Sequence, residues 1–212
     1  MSYISQELQD TLTERARAHY SDVLPYHNWA HAQDVMSSVA ALVIKSSRPE
    51  ITEKGPLLVI AAAWHDADFH LQDNIAVFAT KEERSAKLAI RSLPELSQED
   101  KNLLYSGIID TTVSKSHKEN LFGEALHAAD LGYFASEQEH FMERLVLMRK
   151  EWGSPDWATT VQRTRAFGNH VIAESQKSIF EILPLADTEQ WMTAVENNLD
   201  SLEQKLDRGE LV

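Results

Sequence analysis

The sequence predicts an all-α protein built as a single domain. Most segments of its 212 residues carry apolar side chains at helical spacing, and glycine and proline are scarce, at 7 and 6 residues. Strand-like alternation appears nowhere at useful length. We expect the domain to span residues 1–212, with a core at about 20–180 and a C-terminal helical extension at about 185–208. Helices are expected at 5–19, 28–45, 53–66, 80–93, 97–112, 120–134, 136–152, 156–180 and 187–206.

Several local signals set the limits of these helices. Pro25 breaks the chain after the first helix, and Asn28 is a suitable N-cap for the second. A loop rich in Asp and Asn, residues 66–73, follows the third. The sequence Thr80-Lys81-Glu82-Glu83 spells a capping box at the start of the fourth, and Ser154-Pro155 separates two later helices.

Composition excludes several functional classes. The net charge of -13, from 33 acidic and 20 basic residues, repels nucleic-acid backbones, so we expect no nucleic-acid partner. The chain has no cysteine, which excludes disulfides, thiolate metal sites and cysteine nucleophiles, and which suits a reducing compartment. The longest apolar run, Leu57 to Trp64, is too short to cross a bilayer, and the N-terminus lacks a leader pattern. These features predict a cytoplasmic protein without a membrane partner.

The apolar run from Leu57 to Trp64 is followed by two chemically active side chains. Its composition predicts a helix that is buried almost all round, and His65 and Asp66 follow it directly. Burying such groups is costly unless they are paired, hydrogen-bonded or bound to a cation. An equally weighted alternative is a histidine favoured by the C-terminal dipole of the helix, beside a solvated aspartate.

Two further polar side chains fall on apolar helix faces. His31 shares a stripe with Val35, and Asp130 shares one with Leu126, so both are expected to face the core. Each alone has an ordinary explanation, because inward histidines are mostly satisfied core residues and buried aspartates mostly pair with arginine or backbone N–H groups.

Together, these four residues form a candidate ligand set for one metal ion. Mixed nitrogen and oxygen donors suit Mn, Fe, Co, Ni or Zn, and the sequence does not choose among these divalent ions. Such an ion can generate hydroxide and polarise a phosphoryl oxygen. His27 lies four residues before His31 but precedes the helix cap, so we expect it to orient the site rather than to bind the metal.

The spelling around these residues resembles the HD-domain superfamily of metal-dependent phosphohydrolases, and in particular its small predicted bacterial members. The matching motifs, in order, are Tyr26-His27-Asn28-x-x-His31, Trp64-His65-Asp66-Ala67, Glu82-x-x-Ser85-Ala86 and Ala129-Asp130-Leu131. The resemblance implies an HD-type helical bundle around one metal, with ligands His31, His65, Asp66 and Asp130. It also implies nucleotides or other phosphate esters as substrates.

The chain departs from relatives of this kind at two places. Relatives that cleave alarmones carry a Glu-Asp pair soon after the His-Asp, where this chain reads Ala67-Asp68-Phe69-His70. Because the chain lacks this pair, alarmone cleavage is not expected. The second departure is Lys81, which stands where the small members usually have asparagine.

Further residues are candidates for handling protons and phosphate. Glu82 lies on a small-residue helix face and is expected to be the general acid/base, with Asp68 as an alternative. An acid that merely interacts with the helix dipole is a competing interpretation of Glu82. The candidate substrate contacts are His27, Lys81, His117, Lys118 and Arg165. Each of these also has an ordinary interpretation as a solvated cation or a member of a surface ion pair.

The sequence thus predicts a metal-dependent phosphohydrolase that acts on a small phosphorylated metabolite, with a nucleotide as the favoured substrate. Three alternatives stay open: a non-catalytic nucleotide sensor, a dinuclear-iron oxygenase, and a plain helical interaction protein. A homodimer is also left open.

Overall fold

The computed structural model describes residues 4–71, 80–112 and 120–211. Within them the secondary structure is helical, without a strand, which confirms the expected all-α class. The α-helices are α1 (Gln6–Arg17), α2 (Trp29–Lys45), α3 (Pro49–Thr52), α4 (Gly55–Trp64), α5 (Lys81–Ser92), α6 (Gln98–Asp110), α7 (Leu121–Asp130), α8 (Gln138–Glu151), α9 (Trp157–Ile182) and α10 (Leu185–Asp207). A 3-10 helix, Gly132–Ala135, lies between α7 and α8. Across the described ranges, no helix has both the length and the apolar character needed to cross a bilayer.

Side-chain caps determine where most helices begin. Asn28 Oδ1 accepts a hydrogen bond from the backbone N–H of His31 at 3.4 Å, and Thr80 Oγ1 accepts one from Glu83 at 3.1 Å. These caps start α2 and α5 so that His31 and Glu82 fall in their first turns. The same kind of cap starts α6, α7 and α9 at Ser97, Asn120 and Asp156.

The structure differs from the expected boundaries at two places. The helix expected over 120–134 ends at Asp130 and continues as the 3-10 helix. A Cβ atom on Gly132 would lie 2.9 Å from Ser38 Oγ, so the backbone passes close to α2 directly after Asp130. The four-residue helix α3, which begins at Pro49, was not predicted, because it is too short to show a period.

Helix α4 is the centre of the bundle. Eight of its ten residues are buried, and it packs against α1, α2, α6 and α7. The indole N–H of Trp64 donates to the carbonyl of Leu12 at 3.0 Å, which satisfies the one polar atom of that side chain. Because α4 contacts both α2 and α7, the C-terminal ends of α4 and α7 meet the first turn of α2.

A second apolar cluster joins the last three helices to the segment that follows Asp130. Its largest fully buried side chains are Phe134 and Phe141. Asn198 of α10 donates hydrogen bonds to the carbonyls of Phe134 (3.0 Å) and Ser136 (2.7 Å). Helix α10 therefore fixes the backbone immediately after the end of α7.

Candidate metal centre

Three helix ends deliver the four candidate ligands to one place. His31 lies in the first turn of α2, His65 caps the end of α4 and Asp66 follows it, and Asp130 is the last residue of α7. His31, His65 and Asp66 are buried, and about a fifth of the Asp130 side chain is exposed. The structure thus brings together all four residues proposed from the sequence.

The ligand atoms of these residues converge. The Nε2 atoms of His31 and His65 are 3.2 Å apart. Asp66 Oδ2 lies 3.5 Å from His31 Nε2 and 3.1 Å from His65 Nε2. Asp130 Oδ1 lies 3.1 Å from His31 Nε2 and 3.4 Å from His65 Nε2. Bonds of about 2.0–2.2 Å to a shared ion place neighbouring ligand atoms at separations of this size. Within the described part of the chain, His31, His65 and Asp130 each offer one ligand atom, and these three atoms all lie within 4.8 Å of one another.

A backbone hydrogen bond orients the His65 imidazole. Its Nδ1–H donates to the carbonyl of Ala62 at 2.7 Å. The proton then resides on Nδ1, and Nε2 is left to present its lone pair to the centre. This is the arrangement that a metal-binding imidazole requires.

The pKa values of the cluster show strong charge coupling. Burial lowers the pKa of His31, but hydrogen bonds to Asp130 and Asp66 outweigh it, so the pKa is raised. For His65, burial is likewise outweighed by the charges of Asp66 and Asp130, and its pKa is raised well above the usual value. Burial raises the pKa of both aspartates, but the attraction of the histidines is stronger and lowers both.

Charge balance favours a cation at the centre of the cluster. Because the pKa values of both carboxyls are lowered, protons would balance their negative charge by making both imidazoles cationic rather than by neutralising the carboxylates. Their Nε2–H groups would then face one another across 3.2 Å. A divalent cation balances the same two negative charges and accepts both nitrogen lone pairs. The four residues therefore fit a metal ion.

A cavity of about 220 Å³ adjoins this cluster. Its polar side is formed by His27, Asp66, Lys81, Glu82, Thr111 and Asp130. Two of the candidate ligands therefore face the space in which a small molecule would bind.

Among the solved structures that this chain resembles in fold are two phosphodiesterase domains. The crystal structure of the phosphodiesterase domain of the RhoPDE fusion protein from the choanoflagellate Salpingoeca rosetta has a TM-score of 0.79 and 17% identity, over 98% of this chain and 86% of that chain. A crystal structure of the phosphodiesterase domain of Salpingoeca rosetta rhodopsin phosphodiesterase has a TM-score of 0.76 and 16% identity, over 98% and 83%. The chain has the fold of a helical phosphodiesterase domain. At 16–17% identity this likeness shows the fold alone, and it agrees with the helical bundle that the resemblance implied. Searches against protein-family models and against curated proteins find no match.

In this phosphodiesterase-type fold, His27 lies in the cavity wall and is held by a residue that the sequence did not indicate. Its Nδ1 is hydrogen-bonded to one carboxylate oxygen of Glu151, at the end of α8. The other oxygen accepts from the backbone N–H groups of Tyr26 (2.9 Å) and His27 (3.1 Å). Burial raises the pKa of Glu151, but these bonds outweigh it and lower the pKa, so the carboxylate is ionised. Phe69 stacks on the imidazole with ring centroids 4.0 Å apart.

Glu82 and Lys81 lie side by side in the same wall. Glu82 is buried, and Lys81 is half-exposed. Lys81 Nζ is 3.9 Å from Glu82 Oε1 and 3.8 Å from the centroid of the Phe69 ring. The first turn of α5 thus supplies a carboxylate and a flexible cation to the cavity.

Asp68 is not part of the cavity wall. It has a φ of 60° in the tight turn after Asp66, and its backbone N–H donates to the carbonyl of His19 at 2.8 Å. Its Oδ1 lies 3.3 Å from His19 Nδ1. A left-handed turn points this side chain towards α1, so the alternative acid/base assignment is not supported by its position.

Arg165 is also placed away from the cavity. On α9 it faces α10, where it pairs with Glu196 (3.3 Å), Asp200 and Glu203 (2.6 Å). The helical period carries it to the side opposite the cavity-lining Phe167, so Arg165 does not line this cavity. The remaining candidate contacts, His117 and Lys118, lie outside the described residues.

Proposed function

We propose that the protein is a metal-dependent phosphohydrolase of a small phosphorylated metabolite, with a nucleotide as the favoured substrate. The observation that carries the proposal is the pair of imidazole Nε2 atoms 3.2 Å apart, with carboxylate oxygens of Asp66 and Asp130 within 3.5 Å, beside a cavity. The fold shared with phosphodiesterase domains supports the same reaction class.

His31, His65, Asp66 and Asp130 would hold one divalent ion. The mixed nitrogen and oxygen donors suit Mn, Fe, Co, Ni or Zn. When bound, the ion lowers the pKa of a coordinated water and polarises a phosphoryl oxygen. The buried setting of the ligands strengthens both effects, because fewer solvent dipoles screen the charge.

The residues of the polar wall would handle charge and protons. His27, whose Nδ1 is bonded to Glu151, exchanges protons through Nε2 and donates one to the oxygen of the leaving group. Glu82 accepts a proton from the attacking water. Lys81 neutralises phosphate oxygens, which the net charge of the chain would otherwise repel.

A hydrolysis screen with matched variants tests this function. Wild-type protein loaded in turn with each of the five ions would be assayed on nucleoside monophosphates, cyclic nucleotides and sugar phosphates. We expect turnover with at least one ion. We expect the Asp66→Ala variant to be inactive, and Asp200→Asn, an exposed carboxylate on α10, to match the wild type.

Two outcomes would contradict the proposal. Turnover surviving in Asp66→Ala would separate the reaction from the cluster. Tight metal binding without turnover on any ester would favour a nucleotide sensor.

A further inference from the structure

The cavity beside the cluster has a second, apolar wall that the proposed chemistry does not use. It includes Leu131, Met148, Trp152 and Phe167. Met148 and Trp152 are one helical turn apart at the end of α8, and Phe167 projects from α9. Met148, Trp152 and Phe167 thus come from α8, its C-cap and α9, which carry none of the candidate ligands, whereas Leu131 follows the candidate ligand Asp130 at the end of α7.

Hydrogen bonds connect the apolar wall of the cavity to its polar wall. The backbone N–H of Trp152 donates to the carbonyl of Met148 at 2.9 Å, which continues α8 to the cavity. Glu151, the preceding residue, is bonded to His27 through its side chain. The Tyr133 hydroxyl donates to Met148 Sδ at 3.7 Å and fixes the thioether. The end of α8 that carries Trp152 is thus tied to His27, which lines the same cavity.

Trp152 is unusual among the tryptophans in its exposure. It lines the cavity, and yet 40% of its surface is open to solvent. Trp64 is fully buried by comparison. Leaving a large flat apolar face in water forgoes the free energy that its burial would give, and an aromatic ligand recovers that free energy by stacking.

We propose that Met148, Trp152 and Phe167 form a subsite for a planar aromatic ring in the alcohol part of the phosphate ester. This rests on the proposed function and specifies its substrate class. The cavity of about 220 Å³ is smaller than the roughly 300–1,000 Å³ typical of ligand pockets, so it does not enclose a whole nucleotide-sized substrate. Any further part of the substrate extends past Trp152 into solvent.

A binding comparison tests the subsite independently of turnover. Phenylphosphonate and ethylphosphonate are not hydrolysed, and at a pH above the second pKa of both they carry the same charge, so their affinities for metal-loaded protein then differ through the substituent. We expect phenylphosphonate to bind wild type at least about tenfold more tightly. We expect Trp152→Ala to abolish that preference and Trp152→Phe to keep most of it.

Hydrolysis and control variants complete the test. Trp152→Ala should raise KM for phenyl esters about tenfold and change KM for ethyl esters less than about threefold. Leu185→Ala, which removes an exposed apolar side chain outside the cavity, should leave both unchanged. Equal affinities of the two phosphonates for wild type, or equal losses in Trp152→Ala, would overturn the subsite. Absence of turnover on either ester, with the phosphonate preference intact, would overturn the proposed function alone.

Discussion

Two charged clusters in this protein contrast sharply. The first, the centre cluster, consists of His31, His65, Asp66 and Asp130. The second, the hairpin cluster, joins Arg165 of α9 to Glu196, Asp200 and Glu203 of α10. The centre cluster is largely buried and brings like groups face to face, with two imidazole nitrogens 3.2 Å apart. The hairpin cluster is partly exposed and contains a fixed cation among its carboxylates.

This difference in charge indicates which of the two clusters would bind a further cation. In the hairpin cluster, Arg165 already supplies the positive charge, and hydrogen bonds to the carboxylates raise its pKa, so it stays protonated. In the centre cluster, the imidazoles supply positive charge only when both are protonated, and their Nε2–H groups then face each other. Two such buried cations repel each other, which costs free energy that a bound metal ion would remove. Four predictions follow this contrast, from the largest expected effect to the smallest.

Removal of a ligand imidazole should have the largest effect. We expect His65→Ala to lower metal affinity and turnover by more than a hundredfold, because even outer partners of metal ligands are worth about 10–100-fold. Isothermal titration with the activating metal and steady-state kinetics measure the two losses. His170→Ala, an exposed histidine on α9, is the matched control and should change neither. Full metal affinity in His65→Ala would refute the ligand assignment.

Metal removal should lower the thermal stability of the protein. A metal at a hundred times its Kd stabilises the folded state by about 2.7 kcal/mol. For a chain of this size, that corresponds to about 5–10 °C in Tm. Melting curves with added metal and with EDTA measure the shift, and His65→Ala should lose it. An unchanged Tm in the wild type would indicate that the centre cluster is a purely structural pairing, as in a plain interaction protein.

The helices that carry the centre cluster were predictable because their signals are local. Asn28 caps α2 and so sets the face on which His31 lies, and the apolar run before His65 marks α4 as buried. The early end of α7 at Asp130 was not predictable, because it depends on the close passage of Gly132 by Ser38. That contact joins residues far apart in the chain.

The wider surroundings of the site were beyond the reach of sequence patterns for the same reason. Glu151 is 124 residues from His27. In the sequence it is a polar residue at the end of an amphipathic helix, with no local pattern that indicates its partner. Arg165 carried the charge expected of a phosphate contact, but only the packing of α9 on α10 decides which way it faces. Periodicity gives the face of a helix and not its partner.

Glu151 links α8 to the centre cluster through His27, and its removal should have an intermediate effect. Glu151→Gln keeps the shape but loses the charge that holds the His27 proton on Nδ1. We expect kcat to fall about 10–100-fold, since a positioned proton donor contributes about 10²–10⁴-fold. Metal affinity should change less than about twofold. Glu143→Gln, an exposed change on the same helix, serves as the control. A parallel fall in metal affinity would instead make Glu151 a support of the metal ligands.

Removing the cation of the hairpin cluster should have the smallest effect on stability and activity. Arg165→Met keeps much of the aliphatic stem and removes the charge that pairs with the three carboxylates of α10. Exposed ion pairs contribute at most about 1 kcal/mol each, and the carboxylates left behind can turn to solvent. Urea denaturation should therefore report a loss of only about 1–2 kcal/mol, with kcat and KM unchanged. A rise in KM at unchanged stability would mean that Arg165 leaves its partners to contact substrate, and the contrast between the two clusters would no longer hold.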